Sequence, residues 1–212
     1  MFSRFMSFGC AIVALISCTS ENNRLDRELH AILGALPGTY AGQAPLGLAL
    51  NGELQNIFHK IARIDAPQFG DEVLFYQLSR DAPDGPPLQM KIFVFDTSKD
   101  REMNRMSSFI FISDQLQGNL EKHPEKWTEL DPTSLMSFPE SCAFNWEGVD
   151  NGFEGHVSAA DCLYSSRAFQ QDIRPQMTYR IVHERFEWDE SLYTEEMKVI
   201  VSTGGVLTAY RQ

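Results

Sequence analysis

Basic residues are scarce in this chain: 18 lysines and arginines face 29 aspartates and glutamates, for a formal net charge of −11. So acidic a surface repels nucleic-acid phosphates and anionic lipid headgroups alike. Nucleic acid is therefore excluded as a partner, and membrane attachment has to come from something other than a basic patch. Histidine is sparse too, and His30, His59, His123, His156 and His183 show neither HxH nor HExxH spacing, so no metal site is expected. There is no glycine-rich phosphate loop, no GxSxG elbow and no CxxC pair, which removes the usual signatures of nucleotide binding, α/β-hydrolase chemistry and dithiol exchange. The apolar run from Phe5 to Ile16 is too short to cross a bilayer as a helix.

That run follows a single base, Arg4, as in a targeting leader. It ends in Leu15-Ile16-Ser17-Cys18, which resembles the bacterial lipobox: an apolar residue, a small residue at the cut, and a thiol to take the lipid. The expected organisation is a signal peptide over 1–17, a lipid-anchored spacer over 18–23, and one barrel domain over 24–212. The other reading is a secretory signal cut near Ser20, in which Cys18 leaves with the peptide. Either way the chain is exported, and the lipobox places it on the periplasmic side of the bacterial envelope, at the outer membrane rather than the inner, held by lipid on Cys18. Losing the leader removes one base and no acid, so the exported part is more acidic still.

From Arg24 to Leu36 the residues Leu25, Leu29, Ile32, Leu33 and Leu36 recur at helical spacing, with Asn23 placed as a cap and Pro37-Gly38 as the stop. Beyond Gly38 the period changes. Short runs rich in aromatic and branched residues alternate with turn clusters: 57–64, 73–78, 89–96, 107–113, 142–146, 153–159, 178–188, 197–202 and 207–210. The segment 114–138 scatters Leu116, Leu120, Trp127, Leu130 and Leu135 among charges and prolines, and reads as short helices and loop over one end of the domain. So many short strands have to close or stack to avoid exposed edges. The fold expected is all-β with minor α: a closed antiparallel lipocalin-like, calycin-type β-barrel with an N-terminal amphipathic helix and a short helical insertion.

With Cys10 lost in the leader and Cys18 acylated, Cys142 and Cys162 remain in an oxidising compartment and are expected to pair. Between them Asn151-Gly152 signals a hairpin. A two-residue turn there pairs Asp150 with Phe153, and one extra residue in the hairpin brings Cys142 opposite Cys162. Cys142-Ala143-Phe144-Asn145-Trp146, then Phe153-Glu154-Gly155-His156 and Cys162, resembles the paired-cysteine hairpin of the CpcT/CpeT family of phycobiliprotein lyases. Gly38-Thr39-Tyr40 with Gln43-Ala44, and Leu74-Phe75-Tyr76-Gln77, are similar to that family's early motifs, so the resemblance spans Leu33 to the C-terminus. It implies a lipocalin-related barrel that binds a linear tetrapyrrole (bilin) and passes it to a cysteine of an acceptor protein, without a required cofactor. The chain departs from the family where Tyr76 replaces a glutamate, and where Pro87-Leu88-Gln89-Met90-Lys91-Ile92-Phe93 keeps a single basic position, Lys91.

Polar groups inside apolar strands need partners when buried, which makes Arg63, Tyr76, Gln77 and Lys91 the candidate ligand-binding residues. Phe58, Phe75, Phe93, Phe95, Phe109 and Phe111 read as core, and Glu184, Glu187, Asp189 and Glu190 as a solvated acidic edge. The function expected is the binding of a linear tetrapyrrole or a similar elongated amphipathic molecule, with Lys91 pairing a propionate. Two other readings stand beside it: a non-catalytic envelope protein that carries or senses a lipid or pigment, and a scaffold whose barrel is filled by its own side chains.

Overall fold

The computed structural model describes residues 23–45, 54–99, 101–112 and 123–212. The expected leader, the lipobox-like run with Cys18 and the expected spacer up to residue 22 lie outside them. Asn23 is already helical, so the first described element, α1 (23–35), takes in the residue expected to cap it. Leu25, Leu29, Ile32 and Leu33 are buried along one face of α1, and Leu36 just beyond it.

Thirteen strands follow among the described residues: β1 Gly38–Pro45, β2 Leu54–Arg63, β3 Glu72–Arg80, β4 Pro87–Phe95, β5 Asn104–Ile110, β6 Met136–Ser137, β7 Phe144–Val149, β8 Gly152–Val157, β9 Tyr164–Ser166, β10 Gln171–Val182, β11 Arg185–Thr194, β12 Val199–Ser202 and β13 Leu207–Arg211. They pair antiparallel in the order β11-β13-β1-β2-β3-β4-β5-β7-β8-β10, and β10 pairs back onto β11. The result is a closed barrel of ten strands, all-β and lipocalin-like in plan, whose wall β6, β9 and β12 continue by pairing farther along β5, β10 and β11, beyond β7, β8 and β13. Closure gives each of the ten barrel strands a neighbour on both sides.

Side-chain alternation sends Ile57, His59 and Ile61 of β2, Leu74 and Tyr76 of β3, and Phe186 and Trp188 of β11 to the interior, all buried. α1 packs Leu29, Ile32, Leu33 and Leu36 into the same core. Its Glu28 accepts from the Gly148 backbone N–H at 2.6 Å and from Asn104 at 3.3 Å, which ties the helix to the strand ends around it.

Three expectations need correction. The cover expected over one end, 114–138, falls partly outside the described residues, Leu116 and Leu120 included, and what is described around Trp127 packs elsewhere. Its described part, including α2 (Pro124–Glu129), lies on the outer wall of β3 and β4, where Trp127 meets Phe75 with ring centroids 5.0 Å apart, and Ala66, Val73, Met90, Ile92, Phe111 and Leu135 complete a second core. The run 178–188 is not one strand but the meeting of two, turning at His183-Glu184. The hairpin near the cysteines turns at Asp150-Asn151, with Val149 opposite Gly152 and Asn151 at φ 66°. Gly152 belongs to the strand, where a Cβ would stand 1.9 Å from the Ile181 carbonyl oxygen. Close approach of β10, and not a positive φ, is what requires glycine there.

Candidate functional site

The interior is divided across its length. On the α1 side, rings fill it: Tyr40 packs on Phe186 at 5.7 Å, His59 on Trp188 at 4.2 Å, Tyr76 on Phe93 at 5.4 Å, and Phe144 stacks on Tyr179 at 4.6 Å. On the other side a cavity of about 280 Å³ remains, near the lower bound for small-molecule sites. Ile110, Phe144, Met177 and Leu192 give it apolar walls, and Gln89, Lys91 and Ser108 are the polar side chains that β4 and β5 add. Pro175 also lines it. Having no N–H to donate, it stands between the part of β10 paired with β9 and the part paired with β8.

The cysteine pair belongs to this site. Cys142 and Cys162 form a disulfide at a Cα separation of 4.6 Å, joining the turn before β7 to the loop after β8. Cys142 lines the cavity, as do Phe138 and Tyr164, whose rings meet edge to face at 4.7 Å. The bridge therefore pins the segments that form one wall.

At the inner end lies Lys91, only 4% exposed. Its Nζ donates to the Tyr179 hydroxyl at 3.0 Å, and that hydroxyl donates to Glu190 Oε1 at 2.5 Å. The same Nζ stands 5.4 and 5.7 Å from the centroids of the Tyr76 and Tyr179 rings, within cation–π range. Burial pulls the Lys91 ammonium below its ordinary pKa, and the Glu190 charge opposes that pull. Tyr179 and Tyr76 are pushed well up, by burial first and by Glu190 second. Beside them His59 Nδ1 and the Tyr76 hydroxyl share a hydrogen bond of 3.0 Å, while His59 Nε2 has no partner. Burial, then the Lys91 charge, lowers His59 to about 3, so its ring is neutral.

Of the four candidate residues, Tyr76 and Lys91 meet inside the barrel. Gln77 is buried on the outer face of β3, its Nε2 3.4 Å from the Pro83 carbonyl oxygen and its Oε1 unpartnered. Arg63, at the end of β2, is half exposed and 3.4 Å from Glu72. Neither reaches the cavity. The acidic cluster is not uniformly a solvated edge, because Glu190 turns inward. Tyr179 and Glu190 went unidentified as site residues, although Glu190 shares its strand parity with Phe186 and Trp188, and that parity was the available signal.

No protein-family model and no curated protein matches the chain. Among solved structures it is similar to the selenomethionine-labelled CRL protein of Arabidopsis, with a TM-score of 0.61 and 13% identity over 88% of this chain and 99% of that one. At that identity the likeness shows the fold alone: a closed antiparallel barrel, here with one disulfide at the wall of a half-filled interior.

Proposed function

We propose that this chain is a ligand-binding barrel of the CpcT/CpeT type that takes one end of an elongated amphipathic molecule, of the linear-tetrapyrrole class or similar in shape, into the cavity opposite α1. One observation carries the reading: the interior is left unfilled on that side, with walls that are mostly apolar and with the buried Lys91, linked through Tyr179 to Glu190, at the inner end. Such a site suits a ligand that is apolar along its length and polar at its tip. Lys91 holds the polar tip, and Tyr76 stands behind it. The cavity is small for a whole bilin, so the remainder of the molecule extends past Leu192 and Ile110. Transfer of a chromophore to a cysteine of an acceptor protein is the step the family resemblance adds.

Lipid on Cys18 would hold the barrel at the periplasmic face of a bacterial membrane, and the disulfide supports an oxidising compartment. Cys18→Ala should release the chain from membrane fractions.

The test is the visible spectrum of biliverdin or phycocyanobilin mixed with the full chain in mild detergent. A shifted and sharpened long-wavelength band is expected, and Lys91→Glu should weaken it. An unchanged spectrum at high micromolar protein would remove the tetrapyrrole reading. The second reading, a non-catalytic carrier of a lipid or pigment, is favoured by the apolar wall of Ile110, Phe138 and Leu192. Native mass spectrometry of chain purified from its own host would then show a lipid carried through.

A further inference from the structure

The surroundings of Lys91 fit one nitrogen species better than the ammonium. A protonated lysine carries three N–H donors. Here one meets an oxygen, that of Tyr179, and the nitrogen stands within cation–π range of two tyrosine rings at the edge of the cavity. A protonated imine on the same nitrogen carries one N–H, and Tyr179 satisfies it. The countercharge is already in place, because Glu190 accepts from the same hydroxyl. A carboxylate tip on a ligand would have to share Lys91 with Glu190, whereas a carbonyl tip brings no second negative charge into the site.

We propose that Lys91 forms a reversible imine with the carbonyl carbon of an amphipathic aldehyde whose apolar body lies along the cavity walls. The proposal rests on the reading of the barrel as a binder of elongated amphipathic molecules, and narrows that class to carbonyl-tipped ones. The step balances with groups on the spot. The ammonium passes one proton across the Tyr179 hydroxyl to Glu190, which frees the amine lone pair. The amine attacks the aldehyde carbon, a carbon–nitrogen bond forms as the carbonyl π bond breaks, and the oxygen takes one proton from the attacking nitrogen to become the hydroxyl of a neutral carbinolamine. Glu190 returns its proton through Tyr179 to that hydroxyl, which leaves as water. A protonated imine remains, carrying the positive charge that the ammonium held. Nothing is oxidised or reduced, and water entering the site reverses the reaction. Burial also lowers the proton affinity of Lys91, which favours the free amine that must attack.

The experiment uses the full chain in detergent with all-trans-retinal as the aldehyde and all-trans-retinol as its non-condensing match. Trapping with cyanoborohydride and peptide mass mapping should place a secondary-amine adduct on Lys91 ahead of every exposed lysine. The untrapped complex should absorb to the red of free retinal, as a protonated imine does. Lys91→Met should lose the adduct, while Tyr179→Phe should form it at the same lysine but more slowly, because the proton relay to Glu190 is gone. If retinol binds and no adduct forms on Lys91, the imine is wrong and the binding reading survives. If neither probe binds, both fall. Should Lys91→Met fail to fold, the location of the adduct in the unsubstituted chain still decides.

Discussion

Arg211 lies over the ring of Tyr40, its guanidinium carbon 4.9 Å from the centroid, and donates to the Tyr40 hydroxyl at 2.7 Å. The same guanidinium donates to the carbonyl oxygens of Ala35 at 2.7 Å and Pro37 at 2.6 Å, so the last strand of the barrel caps the C-terminus of α1. Its Nε is also 2.8 Å from the Glu184 carboxylate, with the N–H pointing off that line. Three bonds from one charged group, partly buried, make Arg211 the joint between helix and barrel. Arg211→Ala should lower the unfolding free energy by about 2 to 4 kcal/mol, read as a shift of the urea midpoint. Arg211→Lys should recover part of it, because one ammonium cannot reach all three oxygens. An alanine variant with an unmoved midpoint would show that α1 is held by its apolar face and Glu28 without Arg211.

The disulfide closes a loop with a sequence separation of 20 and pins a wall of the cavity. In the loop-entropy account such a bridge contributes on the order of 3 kcal/mol through the unfolded state. Cys142→Ser with Cys162→Ser should lower the melting temperature by several degrees and weaken ligand binding as well. Calorimetry and a binding titration on the same sample separate the two effects. Equal affinity with and without the bridge would confine its role to stability.

How much could be read in the residues depended on whether a strand has one buried face or two. β2 has one, so Ile57, His59 and Ile61 alternate with half-buried neighbours and the strand declares itself. β3 is buried from Val73 to Gln77 without a break, because the outer layer around Trp127 covers its other face. There the alternation disappears, and nothing in the local pattern tells Tyr76, which faces in, from Gln77, which faces out. The β10–β11 turn was hidden for another reason. His183 takes φ 53° without a glycine or proline to mark it, so two long strands read as one run. Glu190 was masked by its neighbours, since Glu187 and Asp189 suggest a solvated edge while the tyrosine that engages Glu190 lies 11 positions away in sequence. The closed barrel, the leading helix and the cysteine pair were legible because each rests on a pattern that recurs or on a countable residue.

Trp146 lies on Gly155, and a Cβ at that glycine would stand 2.4 Å from the indole. The two are opposite each other on β7 and β8, so the ring covers the place a side chain would take. Gly155→Ala should cost about 1 to 3 kcal/mol through overpacking, and adding Trp146→Leu should make the alanine nearly neutral. A double-mutant cycle in denaturant tests this. Additive losses would mean that the glycine serves the backbone and not the ring.

His59 sets the acid limit of the fold. In the unfolded chain an imidazole takes its proton near pH 6.5, whereas in the barrel burial and the Lys91 charge delay protonation to about 3. The unfolded state therefore binds more protons than the native state throughout that window, and stability falls as the pH is lowered through it. The contribution is complete above pH 6.5 and is lost progressively below it. At about 1.4 kcal/mol per pH unit, the total reaches roughly 4 kcal/mol by pH 3. Carboxylates add their own losses further down, so the informative range is pH 7 to 5. Urea midpoints should decline there in the unsubstituted chain and stay nearly level in His59→Leu. The comparison concerns slopes, so the variant's lower absolute stability, expected because Tyr76 loses its partner, does not disturb it. Parallel slopes would mean that another group carries the acid sensitivity and that the His59 ring gains its proton as readily folded as unfolded.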